Sequence, residues 1–185
     1  MNQDTAKDRL IWEAGDVRQS VDRVAVETPI AMVYNGLSHA VMMATPDDLK
    51  DFALGFSLSE GIIDSSEQFV GCDETRTEKG IELNIDITIG QFEALKQRRR
   101  SLVGRTGCGL CGVESLDQAI PQPSPIESTL QISHAALENA LTTLADKQVL
   151  QQQTGAVHAA AWCEKDGKVQ FIREDVGRHN ALDKL

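Results

Sequence analysis

Between Ile81 and Ile89 every second residue is apolar: Ile81, Leu83, Ile85, Ile87 and Ile89 alternate with mostly polar residues. A period of two puts those side chains on one side of an extended strand, so the segment demands a sheet with one covered face. A second sheet signal lies upstream. Asn35-Gly36 separates the apolar runs MVY and HAVMMA. This pair suits a type I′ hairpin turn, which needs positive φ at both central residues. Thr45-Pro46-Asp47-Asp48 then reads as a helix start, with Thr45 as N-cap, Pro46 in the first position and acids at the positive end of the dipole. The helix is expected to run to about Glu60, with Leu49, Phe52 and Phe56 on one face and Gly61 as its stop.

Further along, residues 91–101 read as a short helix ending in Arg98-Arg99-Arg100. Residues 104–112 form a glycine-rich loop, and Pro121, Pro123 and Pro125 mark a linker. Ser133 can cap a helix over 134–147 with Leu137, Leu141 and Leu144 on its apolar side. Strands are expected at Val157–Cys163 and Val169–Arg173 around the turn Lys165-Asp166-Gly167, and a last helix from Val176 through Leu185. The expected fold is mixed α/β (α+β). The division is a flexible tail over 1–20, an α/β region over 21–120 carrying the cysteine loop (102–113), a Pro-rich linker over 121–128, and a second domain beginning at 129. The sequence stops inside an amphipathic helix. The second domain is therefore expected to be incomplete, with truncation at the C-terminus.

Composition removes several function classes. The 185 residues are 41% apolar and 25% charged, enough to bury a core without disulfides. A net charge of −10 argues against a broad nucleic-acid footprint, and 4% aromatic residues against a base-stacking surface. No stretch approaches the length of a membrane span, and the N-terminus has no apolar run of signal-peptide length. A cytoplasmic protein with no membrane and no nucleic-acid partner is expected. In that reducing compartment close cysteines are catalytic or metal-binding more often than disulfide-bonded.

The closest cysteines are Cys108 and Cys111, in Gly104-Arg105-Thr106-Gly107-Cys108-Gly109-Leu110-Cys111-Gly112. A Cys-x-x-Cys pair can be half a zinc site, a thioredoxin-like redox pair, or a site of sulfur transfer. Zinc usually wants a second ligand pair, and Cys72 and Cys163 stand alone, though His158 and His179 can complete a site in space. The redox reading wants a helix start, whereas glycines flank both cysteines here. Transfer wants a nucleophilic thiolate on a segment that swings between partners. Arg105, three residues before Cys108, favours the thiolate form. Arg98 to Arg100 read equally well as a solvated helix end.

A second constellation joins Thr154-Gly155-Ala156-Val157-His158 to Arg173-Glu174-Asp175-Val176-Gly177-Arg178-His179-Asn180. Arg178 and the free N–H groups of a helix start can hold a phosphate, and His158 and His179 can act in acid–base chemistry or as ligands. The competing reading is a capping network, with Asp175 as helix cap and Glu174 paired to Arg178. His39 and His134 read as structural, and Cys72 and Cys163 as inert thiols.

GRTGCGLCGVE at 104–114 resembles the cysteine-loop signature of the FdhD family. So do VYNGLSHAVMMATPDDLKDFALGFSLSEGII at 33–63, TGAVHAAAW at 154–162 and EDVGRHNALDKL at 174–185. The resemblance implies a sulfurtransferase that takes persulfide sulfur from a cysteine desulfurase. It passes the sulfur to the molybdenum bis(guanine dinucleotide) cofactor of formate dehydrogenase. It also implies a homodimer when full length and a cytidine-deaminase-like domain over 129–185. Cys108 would hold the persulfide and Cys111 support it, while Arg105, His158, Arg178 and His179 would face the cofactor. No permanent metal is expected. Family members continue past the DKL motif into a glycine- and arginine-containing cofactor loop, and Ala156 stands where some members have a further cysteine. A cofactor chaperone without sulfur transfer is one alternative. A zinc deaminase is another, but its His-x-Glu is missing at His158-Ala159-Ala160 and at His179-Asn180-Ala181.

Overall fold

The computed structural model describes residues 2–102 and 125–185, with backbone alone for 99–102. Its centre is a four-stranded sheet built from β3 (Thr28–Tyr34), β4 (Leu37–Ala44), β5 (Phe69–Thr77) and β6 (Gly80–Ile87), in the order β4-β3-β6-β5. The strands β3 and β6 run parallel and the outer pairs antiparallel. The predicted alternation is realised on one face, where Ile30, Met32, Tyr34, Ile81, Leu83, Ile85 and Ile87 are buried. Helix α1 (Leu49–Ser59) closes that face with Leu49, Phe52, Ala53 and Phe56. Each large apolar residue here stabilises by about 1.5–3 kcal/mol on leaving water. The Tyr34 hydroxyl is buried and lies 2.8 Å from Ser57 Oγ, whose own proton goes to the Ala53 carbonyl, so Tyr34 is the donor.

The Asn35-Gly36 turn has positive φ at both residues, 46° and 81°, as the hairpin signal requires. Asn35 also reaches β6. Its Nδ2 donates to the Ile87 carbonyl at 3.1 Å and its Oδ1 accepts from Ile87 N–H at 3.0 Å.

Several local expectations are corrected. Thr45 does not cap α1. The N-cap position is Asp48, in the left-handed region at φ 51° with no side-chain cap bond, and Pro46 lies before the helix. Strand β6 ends at Ile87, and Ile89 instead opens α2 (Ile89–Leu102) with its side chain largely exposed. In place of a tail, residues 4–25 form a hairpin of β1 (Asp4–Glu13) and β2 (Asp16–Ala25) around Ala14-Gly15, both at positive φ. Its strands are rich in charge, which hid their alternation. Arg9 pairs with Asp22 on the neighbouring strand, and Arg23 with Asp4.

Ser133 caps α3 (His134–Lys147) as expected, its Oγ accepting from Ala136 N–H at 3.1 Å. The buried side of α3 differs from expectation, because Leu137 and Leu141 are exposed and Ala136 faces inward. Gly167 explains why. It sits at φ 86° in the turn between Cys163 and Val169, and a Cβ there would stand 2.0 Å from the Ala136 carbonyl oxygen. A short α4 (Val149–Thr154), β7 (His158–Cys163), β8 (Val169–Asp175) and α5 (Arg178–Lys184) follow among the described residues. Mixed α/β architecture is therefore present, and among the described residues no helix is long and apolar enough to cross a membrane.

Candidate functional site

The ribbon of β7 and β8 brings the second constellation together. Gly155, at φ 64°, ends α4 and turns the backbone into β7. The antiparallel register sets His158 opposite Asp175, and β8 leads through Val176-Gly177 into α5. His158, Arg178 and His179 thus gather at one end of the ribbon, and all three are exposed. The predicted helix start is corrected by two residues: Gly177 is the N-cap and α5 spans only Arg178–Lys184.

The acids between them do different work from that of the competing capping network. Glu174 does not pair with Arg178. Its carboxylate accepts from Leu150 N–H at 2.9 Å and Gln151 N–H at 2.8 Å, and so satisfies free donors at the start of α4. Asp175 is fully buried, as is Lys184, and their charged groups meet at 2.7 Å. Arg173 reaches α1, with its Nη2 2.6 Å from Asp51 and its Nε 3.5 Å from Asp48. The hydrogen bond to Asp51 raises the Arg173 pKa above its ordinary value. Partial burial raises that of the Asp48 carboxyl.

The part that Thr45, Asn180 and Lys184 play in holding this turn was missed by sequence reading. The signal was present in the spacing: Asn180, Ala181 and Lys184 lie three and four residues apart, on one helix face, and all are buried. A lysine on the covered side of a helix needs an acid, and Asp175 stands in the turn that leads into that helix.

Arg105, Cys108 and Cys111 lie outside the described residues. The two other thiols are Cys72, buried in β5, and Cys163, half-buried in β7. Burial pushes the Cys72 thiol up to about 11, which leaves it a poor nucleophile at neutral pH. His39 packs edge-on between Tyr34 and Phe56, at ring separations of 5.6 and 6.3 Å, in the structural role expected. His134 is exposed and 3.6 Å from Glu138. Among the described residues no three His, Cys, Asp or Glu side chains cluster as a metal site.

Residues 25–185 match the FdhD/NarQ family. A protein of Cupriavidus necator named sulfur carrier protein FdhD is 53% identical over 174 residues, which is 94% of this chain and 60% of that protein. Its namesake in Xanthomonas oryzae is 56% identical over 165 residues, 89% of this chain and 58% of that one. This chain therefore spans about three fifths of the length of the curated relatives it matches. A crystal structure from Desulfotalea psychrophila, described as a candidate formate dehydrogenase accessory protein, superposes with a TM-score of 0.68 at 22% identity, covering 99% of this chain and 65% of the other. At that identity the likeness speaks for the fold.

Proposed function

Because the chain belongs to the FdhD/NarQ family, we propose that it is a sulfur carrier whose working thiols are Cys108 and Cys111, serving the maturation of formate dehydrogenase. The observation that carries this reading is the Cys-x-x-Cys pair in a sequence more than half identical to proteins named sulfur carriers. The buried Cys72 is unsuited to the role, since a thiol pushed up to about 11 offers little thiolate for attack.

In the proposed chemistry, the Cys108 thiolate attacks the outer sulfur of a cysteine desulfurase persulfide. The sulfur–sulfur bond to the desulfurase breaks, its cysteine leaves as thiolate, and Cys108 carries the persulfide. Attack by Cys111 on the inner sulfur then releases hydrosulfide and closes a Cys108–Cys111 disulfide, which a dithiol reductant reopens. The acceptor substrate is the molybdenum bis(guanine dinucleotide) cofactor. Arg105, His158, Arg178 and His179 are proposed to contact it, the arginines through its phosphates. The same reading assigns 21–120 and 129–185 to two domains, the second a cytidine-deaminase-like unit, in a cytoplasmic homodimer of the full-length protein.

Intact mass spectrometry after incubation with a cysteine desulfurase and cysteine tests the reading. Wild type should gain one sulfur, about +32 Da, and Cys108→Ala should not. A folded wild-type protein that gains no mass would move the weight to a cofactor chaperone that carries no sulfur.

A further inference from the structure

The turn that presents Arg178 and His179 is tied to a segment some 130 residues earlier by buried polar groups. Four donors converge on the Asp175 carboxylate: Thr45 N–H at 2.9 Å, Gly177 N–H at 2.7 Å, Asn180 Nδ2 at 3.0 Å and Lys184 Nζ at 2.7 Å. Lys184 Nζ also donates to the Thr45 carbonyl at 2.9 Å. The Thr45 hydroxyl accepts from Val176 N–H at 3.2 Å, and Asn180 Nδ2 donates to the Met43 carbonyl at 2.9 Å. Both N–H groups between Asp175 and Arg178, those of Val176 and Gly177, are therefore committed.

Stability alone is a poor explanation for this arrangement. Removing two charges from water is costly, and a well-packed apolar pair of similar volume often stabilises as much or more. What converging charge-assisted hydrogen bonds supply is direction. A seven-residue helix does not hold its shape unaided, so the orientation of α5 is set by what grips it. The grip acts at both ends, at Val176-Gly177 before the helix and at Lys184 in its last turn.

We propose that Thr45, through its hydroxyl on Val176 N–H, and Lys184, through the Asp175 carboxylate, are positioning residues that fix the backbone from which Arg178 and His179 project. The inference rests on the reading that Arg178 and His179 belong to the cofactor-binding surface. Thr45 thereby makes the β4–α1 junction part of the site's support, through its bonds to Asp175, Val176 and Lys184.

The experiment compares wild type with Thr45→Val, which deletes the hydroxyl acceptor, and with Thr45→Ser, which keeps it. It also includes the double variant Asp175→Asn with Lys184→Met, which removes both charges while retaining an amide acceptor. Imidazole resonances of His179 and His134 are followed by NMR, folding by circular dichroism, and binding of guanosine diphosphate by calorimetry. Thr45→Val and the double variant should stay folded, shift and broaden His179 but not His134, and bind the nucleotide about tenfold more weakly. Thr45→Ser should restore both signals. Folded variants whose His179 resonance is unmoved would overturn the assignment. So would failure of both disrupted variants to fold, which would make the lock a requirement of the fold itself. If wild type binds no guanosine diphosphate, the cofactor reading of Arg178 and His179 falls, while the His179 resonance still decides the positioning role.

Discussion

Gly55 of α1 lies directly against the backbone of Asp183 in α5: a methyl group built on it would stand 1.7 Å from the Asp183 carbonyl oxygen. The two helices meet backbone to backbone at this point. Gly55→Ala should force them apart and destabilise the fold by about 1–3 kcal/mol. Gly90 gives the contrast. It lies in α2, and a methyl group added there would find nothing within 4 Å, so Gly90→Ala should stabilise by about 0.5–1 kcal/mol. Thermal melts of the two variants should move in opposite directions. A Gly55→Ala midpoint at or above wild type would refute the contact.

Asp183 itself should make stability fall with rising pH. Burial raises its carboxyl pKa above the ordinary value, with Glu60 adding to the rise, while a Ser59 hydrogen bond and His179 oppose it. The folded state therefore binds the proton more tightly than the unfolded state. Its contribution is fully favourable below the usual carboxylate range and declines as pH climbs through the raised value. Asp183→Asn should be more stable than wild type at pH 7, with the gap narrowing toward pH 4. Denaturant titrations at the two pH values measure this, and an equal gap at both would contradict it.

Cys72 should resist alkylation in the native protein. With its thiol pushed up to about 11, roughly one molecule in a thousand is thiolate at pH 8, before steric protection is counted. Peptide mapping after iodoacetamide should find Cys72 unmodified in buffer and modified in urea. Equal labelling in both would show that the strand pairing around it opens readily.

Asn35 combines two roles that substitution can separate. Asn35→Gly keeps the left-handed turn and loses both bonds to Ile87, at a cost of about 1–2 kcal/mol. Asn35→Ala adds the strain of positive φ, about 1–2 kcal/mol more. Identical midpoints for the two variants in urea would show that the backbone angle carries no cost here.

Much of the central sheet was legible because period-two patterns and turn residues are local. Ile81 to Ile87 and Asn35-Gly36 needed no partner to be read. The first hairpin was not legible, because Arg9, Asp22, Arg23 and Asp4 make its strands look like a solvated tail until the cross-strand pairing is known. Thr45 misled for a related reason. Its sequence neighbours favour a cap, but its partners Val176 and Lys184 lie more than 130 residues away. In the site, the ribbon carrying His158, Arg178 and His179 was visible as motif, whereas the buried lysine behind it was not. The spacing of Asn180, Ala181 and Lys184 pointed to Asp175, but no local rule pairs Lys184 with the Thr45 carbonyl, 139 residues away.

The two bonds between Asn35 and Ile87 also bear on the order in which the sheet assembles. The β3–β4 and β5–β6 hairpins each close over a few residues and can form early, while the parallel β3–β6 pairing must bring together segments some fifty residues apart. The Asn35 amide can engage only after that long closure has aligned the two hairpins. Its bonds then form on the native side of the folding barrier, so removing them should speed unfolding while leaving the folding rate nearly unchanged.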